Sequence, residues 1–467
     1  MTSPVDSKLF WLPELFLKSR ILPRTDKHFS CACDLVLLLL LVLFGFFSHT
    51  VYAADPALMP MPVGGDQPPE MSNLFTLAKA ESLALKNDSL SKKAEAQRDS
   101  LLEKSVAANT WPDPKLSLGL MNISASSFNF QQEPMTQAVI GVTQMFPPWG
   151  AVGAKSGQMA SMSEAMGYAA NNQRLMTLVG VRKSWMMVYM QYHAKRLVQE
   201  SLDVFGQFIN VAKFQYRQGR GNQQDVIRAQ LEQNLLQDRL AEAQAQYEVA
   251  LATLVKWLGN PGPLGDMNME FPELPSLPAQ TQIEAKLENH PTVMQRKMNI
   301  NSAENGVTFA NSQLRPGWAL NLQYGFRAES PEGMSRDDLV SAMLTFELPL
   351  FTGKRQDRLV AASKSELVSS QEDLDDWRRE FRMRFEKSVA MYTRADERVQ
   401  LYQGSVLPHS RQNTEATLKA YKSGVTDFNV LVRARLTELK SQLQFYMLQV
   451  ERANAHIDLL YFAGTVN

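Results

Sequence analysis

The second half of this chain repeats the first. Residues 71–260 and 276–467 align at a nearly constant offset. At offset 202, Leu85 meets Leu287, Asn87 meets Asn289, Pro114 meets Pro316 and Leu118 meets Leu320. The offset then becomes 205, where Tyr216 meets Tyr421, Gly219 meets Gly424, Arg228-Ala229 meets Arg433-Ala434, and Gly259 meets Gly464. A register held over some 50 residues marks one structural unit used twice. Between the halves, Asn260 to Gln280 carries prolines 261, 263, 272, 275 and 278, the composition of an extended linker. The boundaries read as a first repeat at 71–260, a Pro-rich linker at 261–275 and a second repeat at 276–467.

Each repeat has the order helix, two strands, long helix, turn, helix. The strands show by strict alternation. Trp318, Leu320, Leu322, Tyr324 and Phe326 share one face, with Asn321, Gln323 and Arg327 on the other. Val340, Ala342, Leu344, Phe346 and Leu348 repeat the pattern, as do Leu116, Leu118, Leu120 and Ala138, Ile140, Val142. The expected strands, at about 112–124, 136–146, 316–328 and 338–350, have the length of tilted bilayer-crossing strands. From Ala154 to Arg217 there is no proline, and an unbroken helix there would run roughly 95 Å. Leu236, Leu240, Ala243, Tyr247, Ala250, Leu254 and Trp257 step by four and three, as do Leu436 through Leu460 in the second half. That is a coiled-coil seam.

Four strands with an apolar outer face cannot stand alone in lipid, because open edges leave backbone groups without partners. The smallest barrels of this kind have eight strands. The chain must therefore pool strands with copies of itself: two give eight, three give twelve, and the sequence does not choose.

The ends and the composition point to export. Leu35 to Phe47 is strongly apolar but too short to span a bilayer. It follows five basic residues and precedes the small-x-small pattern Val51-Tyr52-Ala53. The expectation is a signal peptide over 1–53, then an extended segment over 54–70. Cys31 and Cys33 are the only cysteines and leave with it, so the exported chain holds no disulfide or thiolate site. Lys+Arg and Asp+Glu both number 48, and removal of 1–53 leaves 43 against 44. No basic surplus points to nucleic acid.

No catalytic or cofactor constellation is present. His193, His290, His409 and His456 are scattered, with no HExxH pattern and no phosphate loop. His290, before Pro291, is expected to be a solvated or capping residue. The 23 methionines are many; Met59-Pro-Met61 and Met267-Asn-Met269 are candidate soft-metal contacts, while Met186, Met187 and Met190 suit helix packing.

The duplicated order of strands and long helices resembles the TolC-like outer-membrane efflux family. The motifs that carry the resemblance are YRQGRGNQQDVIRA (Tyr216 to Ala229) and YKSGVTDFNVLVRA (Tyr421 to Ala434), with the strand exits FPPWG (Phe146 to Gly150) and LPLFTG (Leu348 to Gly353). The resemblance implies a mainly α chain with a membrane β-barrel, built of two repeats of two strands and long coiled-coil helices. It implies a homotrimer whose twelve-stranded barrel sits in outer-membrane lipid and continues as a helical periplasmic tunnel. It further implies a periplasmic adaptor, an inner-membrane RND-type pump, no cofactor and no nucleic acid. The heavy-metal branch of the family, carrying copper/silver or cobalt/zinc/cadmium, and the drug-exporting branch are both compatible. So are a duct for type I protein secretion and a periplasmic adaptor without a pore, though the alternating strands favour a pore. By the same resemblance, the Tyr-x-x-Gly turns form the closed periplasmic tip. Tyr216, Gly219 and Gly424 are expected turn and adaptor-docking residues, and Asp225 and Tyr421 expected gate residues. The family's arginine position is Thr426 here, so Arg217, Arg220 and Arg433 are the expected substitutes.

Overall fold

The computed structural model describes residues 74–464 apart from Asn260 and Pro263; the expected signal peptide, the 54–70 segment and Met59-Pro-Met61 lie outside them. In chain order the elements are α1 (Leu77–Asn87), α2 (Ser89–Ala108), β1 (Lys115–Met121), β2 (Gln137–Phe146), α3 (Ala151–Arg217) and α4 (Gln223–Leu258). The second repeat gives α5 (Gln280–Lys286), α6 (Pro291–Ser312), β3 (Gly317–Phe326), β4 (Leu339–Glu347), α7 (Gln356–Leu401), α8 (Leu407–Lys422) and α9 (Phe428–Ala463). The two repeats therefore share one order of elements.

α3 is a single helix of 67 residues, about 100 Å long at 1.5 Å per residue. Its counterpart covers the same length, 356–422, but in two pieces joined by a π turn at Tyr402–Val406. Pro408 explains the difference. It has no N–H to return to the preceding turn, and its ring crowds that turn. The ladder shifts to the wider spacing, with Leu407 N–H donating to the Tyr402 carbonyl. The equivalent residue in α3 is Asp203, and α3 runs through.

The helices pack along the heptad seams. Leu236, Ala250 and Leu254 of α4 are buried, and so are Leu439, Val450, Ala453, Ile457 and Leu460 of α9. One core gathers Trp185, Met186 and Tyr189 of α3 with Leu254 and Leu258 of α4 and Ile457 of α9. A second, toward the turns, holds Phe205, Phe208, Leu236, Tyr421, Phe428 and Leu431. The segment between α4 and α5 is tied down backbone to backbone. Phe75 N–H donates to the Asp266 carbonyl at 2.8 Å and Asn268 N–H to the Phe75 carbonyl at 3.0 Å.

Of the two expected roles for His290, solvated or capping, the structure shows the capping one, and the side chain is buried. It is the N-cap of α6: Thr292 N–H donates to its Nδ1, which leaves Nε2–H to donate to the Tyr461 carbonyl at 3.0 Å. The ring packs on Phe381 and Tyr461. Burial pulls its pKa down to about 4, against the opposing pull of the Tyr461 carbonyl.

The four strands form one antiparallel sheet in the order β1-β2-β3-β4. No helix among the described residues is long and apolar enough to cross a membrane.

Candidate functional site

The register of the sheet lines up the two faces foreseen from alternation. Leu118 pairs with Ile140, Ile140 with Tyr324 and Tyr324 with Val340. One step along, Leu116, Val142, Leu322 and Ala342 form the next row. Both rows are apolar on the same side across all four strands; in the next row Gln144 stands beside Leu320 and Leu344. Most of these side chains are exposed in the single chain, Leu116, Leu118, Leu322, Val340 and Leu344 among them. The other face carries Ser117, Thr143, Asn321 and Gln323. These make their bonds within the face: Ser117 Oγ donates to the Gly141 carbonyl, and Asn321 Nδ2 to Thr143 Oγ1 at 2.6 Å. Gly141 has no room for a side chain, since a Cβ would lie 2.8 Å from both Gln323 and Ser117. A sheet that is apolar on one side and polar on the other, with β1 and β4 unpaired along their outer edges, is a piece of a closed wall.

At the far end of the helices stand the two turns. Both close in the same way. After Arg217, Gly219 takes φ +67°, Gly219 N–H donates to the Tyr216 carbonyl and Arg220 N–H to the Gln215 carbonyl. After Lys422, Gly424 takes φ +76°, Gly424 N–H donates to the Tyr421 carbonyl and Val425 N–H to the Ala420 carbonyl. This paired bonding satisfies the last helical carbonyls and requires a left-handed residue, which is why glycine stands at both places.

The two tyrosines of the turns differ in surroundings. Tyr421 is 6% exposed, its ring 5.4 Å from that of Phe428, whereas Tyr216 is 49% exposed. The residue equivalent to Phe428 in the first repeat is Gln223, which offers Tyr216 no apolar partner. Gln215 joins the turns by donating from Nε2 to the Lys422 carbonyl at 3.1 Å, a terminal helix carbonyl otherwise without a helical partner.

The structure brings Asp225 and Tyr421 together within one chain. Asp225 sits in the first turn of α4, beginning at Gln223. Partial burial raises the pKa of its carboxyl, opposed by the Asn222 backbone amide; the charge of Asp427 raises it further and the Tyr421 hydroxyl lowers it. The Tyr421 hydroxyl is pushed up to about 12 by burial and then by the Asp225 carboxylate. It is buried, and no protein group meets hydrogen-bond geometry with it. Asp427, the N-cap of α9, is the tip residue that the sequence comparison did not single out; its signal was its place three residues beyond Gly424. Arg217, Arg220 and Arg433 are all exposed on the tip surface and do not reach Asp225 in the single chain.

An open-edged, one-side-apolar sheet on a shaft of helices about 100 Å long defines a subunit of a membrane-anchored duct. The sequence matches the family model described as "Outer membrane efflux protein" twice, over residues 81–260 and 283–465. The chain belongs to that family, so it is a passive conduit of the outer membrane and not an enzyme. Among solved structures, it is similar to the Campylobacter jejuni CmeC outer membrane channel at TM-score 0.70 and 15% identity, covering 83% of this chain and 85% of that one. It is similar to the outer membrane protein VceC of Vibrio cholerae at TM-score 0.69 and 15% identity, covering 83% and 96%. The open state of the Neisseria gonorrhoeae MtrE outer membrane channel matches at TM-score 0.68 and 16% identity, covering 83% and 88%. No curated protein matches the sequence.

Proposed function

We propose that three copies of this chain close a twelve-stranded barrel in the outer membrane, continued by a helical tunnel, and that this duct is the exit channel of a tripartite efflux assembly. A periplasmic adaptor and an inner-membrane RND-type pump complete it. The observation that carries the proposal is the four-stranded sheet with one apolar face and two open edges. β1 and β4 run antiparallel to each other in the meander, so β4 of one copy can pair with β1 of the next. Such a head-to-tail contact closes a ring. Two copies would give eight strands, whose interior side chains fill the lumen; three leave a channel.

The pump selects the cargo. Of the candidate soft-metal contacts, Met267 and Met269 pack against the core, as do Met186 and Met190, whereas Met187, expected to pack, is exposed; the methionines favour neither a metal nor a drug cargo. Tyr216, Gly219 and Gly424 shape the helical tip offered to the adaptor. Asp225 and Tyr421 hold that tip closed, with Arg217, Arg220 and Arg433 on its surface to reach acidic groups of neighbouring copies.

The test separates closure from helix capping. Asp225→Asn keeps the side chain's size at the start of α4, and Tyr421→Phe keeps the ring in its core. The double variant should assemble normally, conduct more in planar bilayers and sensitise cells to vancomycin. A single contact between a carboxylate and a neutral phenol contributes only on the order of 1 kcal/mol, so either single change should loosen the tip less than the pair. Wild-type conductance in an assembled double variant would remove the gate from the proposal, and absence of any channel in the wild type and the double variant alike would remove the duct.

A further inference from the structure

The segment between α4 and α5 lies against α3 around a hollow of about 680 Å³, whose lining includes His193 of α3 and Met267 and Met269 of the segment. His193 is 7% exposed and gripped by aromatic rings. It stacks on Tyr446 with ring centres 4.4 Å apart, and meets Tyr189 edge-on at 4.4 Å and Tyr192 at 5.2 Å. Its Nε2 is 3.0 Å from the Met269 carbonyl, which can only accept. The neutral ring therefore carries its proton on Nε2 and its lone pair on Nδ1. Nδ1 is buried, and no protein group bonds to it. Burial lowers the pKa of the ring against the pull of the Met269 carbonyl; the charge of Arg196 lowers it further and that of Glu200 opposes. The lone pair is thus kept free of a proton.

Two thioethers share the hollow with this nitrogen. The backbone that carries them is fixed: Met267 bridges Phe75, Phe75 N–H donates to the Asp266 carbonyl, and Asn268 N–H donates to the Phe75 carbonyl. Asn268, between the two methionines, turns its Oδ1 to the Glu270 N–H at 3.0 Å. Met267 and Met269 are both half-buried against the core. Their spacing of two is the one that places side chains on the same side of an extended chain.

The donors define the ion. An imidazole whose other nitrogen donates to a backbone carbonyl is held in the way metal-ligating histidines are. One neutral nitrogen and two thioethers are soft, uncharged donors, a set that suits Cu(I) and not Zn(II), Mg(II) or Ca(II). Asp266 and Glu270 flank the methionines but are exposed, and the described residues hold no cluster of three His, Cys, Asp or Glu for a harder ion.

We propose that His193 Nδ1 and the sulfurs of Met267 and Met269 bind one soft monovalent cation, Cu(I) or Ag(I), per chain. The ion fastens the segment between the repeats to α3, beside the bond that His193 already makes to the Met269 carbonyl. It is an ion held by the chain and assigns no cargo to the duct.

The test titrates silver nitrate into the full protein, purified in chloride-free detergent, by isothermal titration calorimetry. The wild type should bind one Ag(I) per chain. Met267→Leu/Met269→Leu keeps the packing volume and removes both sulfurs; its affinity should fall at least tenfold. Met59→Leu/Met61→Leu should bind as the wild type does, and Zn(II) should bind the wild type at least tenfold more weakly than Ag(I). No uptake by the wild type, undiminished affinity in the 267/269 variant, loss in the 59/61 variant, or equal affinity for Zn(II) would each overturn the site. A second measurement needs no variant. One equivalent of Ag(I) should slow labelling of Met267 and Met269 by an oxaziridine methionine reagent at least fivefold, read by peptide mass spectrometry, and leave the exposed Met187 unchanged. Equal slowing at all three, or at none, would overturn the assignment even if the 267/269 variant failed to fold.

Discussion

His290 shows what a single residue does for this fold. It caps α6, bonds to the carbonyl of Tyr461 at the other end of the repeat, and must be neutral to keep Nδ1 as an acceptor. Its folded pKa, about 4, lies below the ordinary 6.5. The stability this represents is fully present above pH 6.5 and is lost as pH falls through about 4. At about 1.4 kcal/mol per unit, the loss is on the order of 3 kcal/mol per chain. His290→Asn keeps a capping side chain but does not titrate. Thermal unfolding followed by circular dichroism in detergent should show the variant less stable at pH 7, with the gap closing toward pH 4; a gap independent of pH would contradict the linkage. The sequence announced a helix start at His290-Pro291, but the covering rings of Phe381 and Tyr461 arrive from far along the chain, so the burial was not legible there. The tip was more readable. Gly219 and Gly424 announced both turns, and Phe428 against Gln223 held the reason why Tyr421 is buried and Tyr216 is not.

At the scale of elements, the strands were legible because the two faces of each meet different surroundings, so apolar and polar residues alternate strictly. The heptads likewise revealed the seams of α4 and α9. The π turn was less so: Pro408 and its equivalent Asp203 foretell an interruption, but whether the helix breaks or widens depends on packing around it. The strand faces make a sharp prediction. Leu344 lies on the apolar, exposed face, and Asn321 on the polar one. Leu344→Arg should block assembly into outer membranes, at a cost of ~2–4 kcal/mol per chain near mid-bilayer. Asn321→Arg should assemble, losing only its bond to Thr143. Membrane fractionation and heat-modifiable migration on gels read both outcomes, and equal behaviour of the two variants would show that the faces are not divided between lipid and lumen.

At the scale of the molecule, one chain is an incomplete object. Its sheet has two open edges, its apolar face is bare, and its longest helix runs about 100 Å. The duplicated sequence doubles two strands to four and stops short of closure, so the rest of the wall must come from further copies. That number was not legible in the chain, because pairing β4 to β1 looks the same in a ring of any size. The wet lumen implied by Asn321 and Gln323 favours twelve strands over eight. The most direct test is the mass of the intact complex released from mild detergent, by native mass spectrometry after extraction from outer membranes. The account predicts three chains and no larger species; a stable monomer, or a complex of two chains, would contradict it.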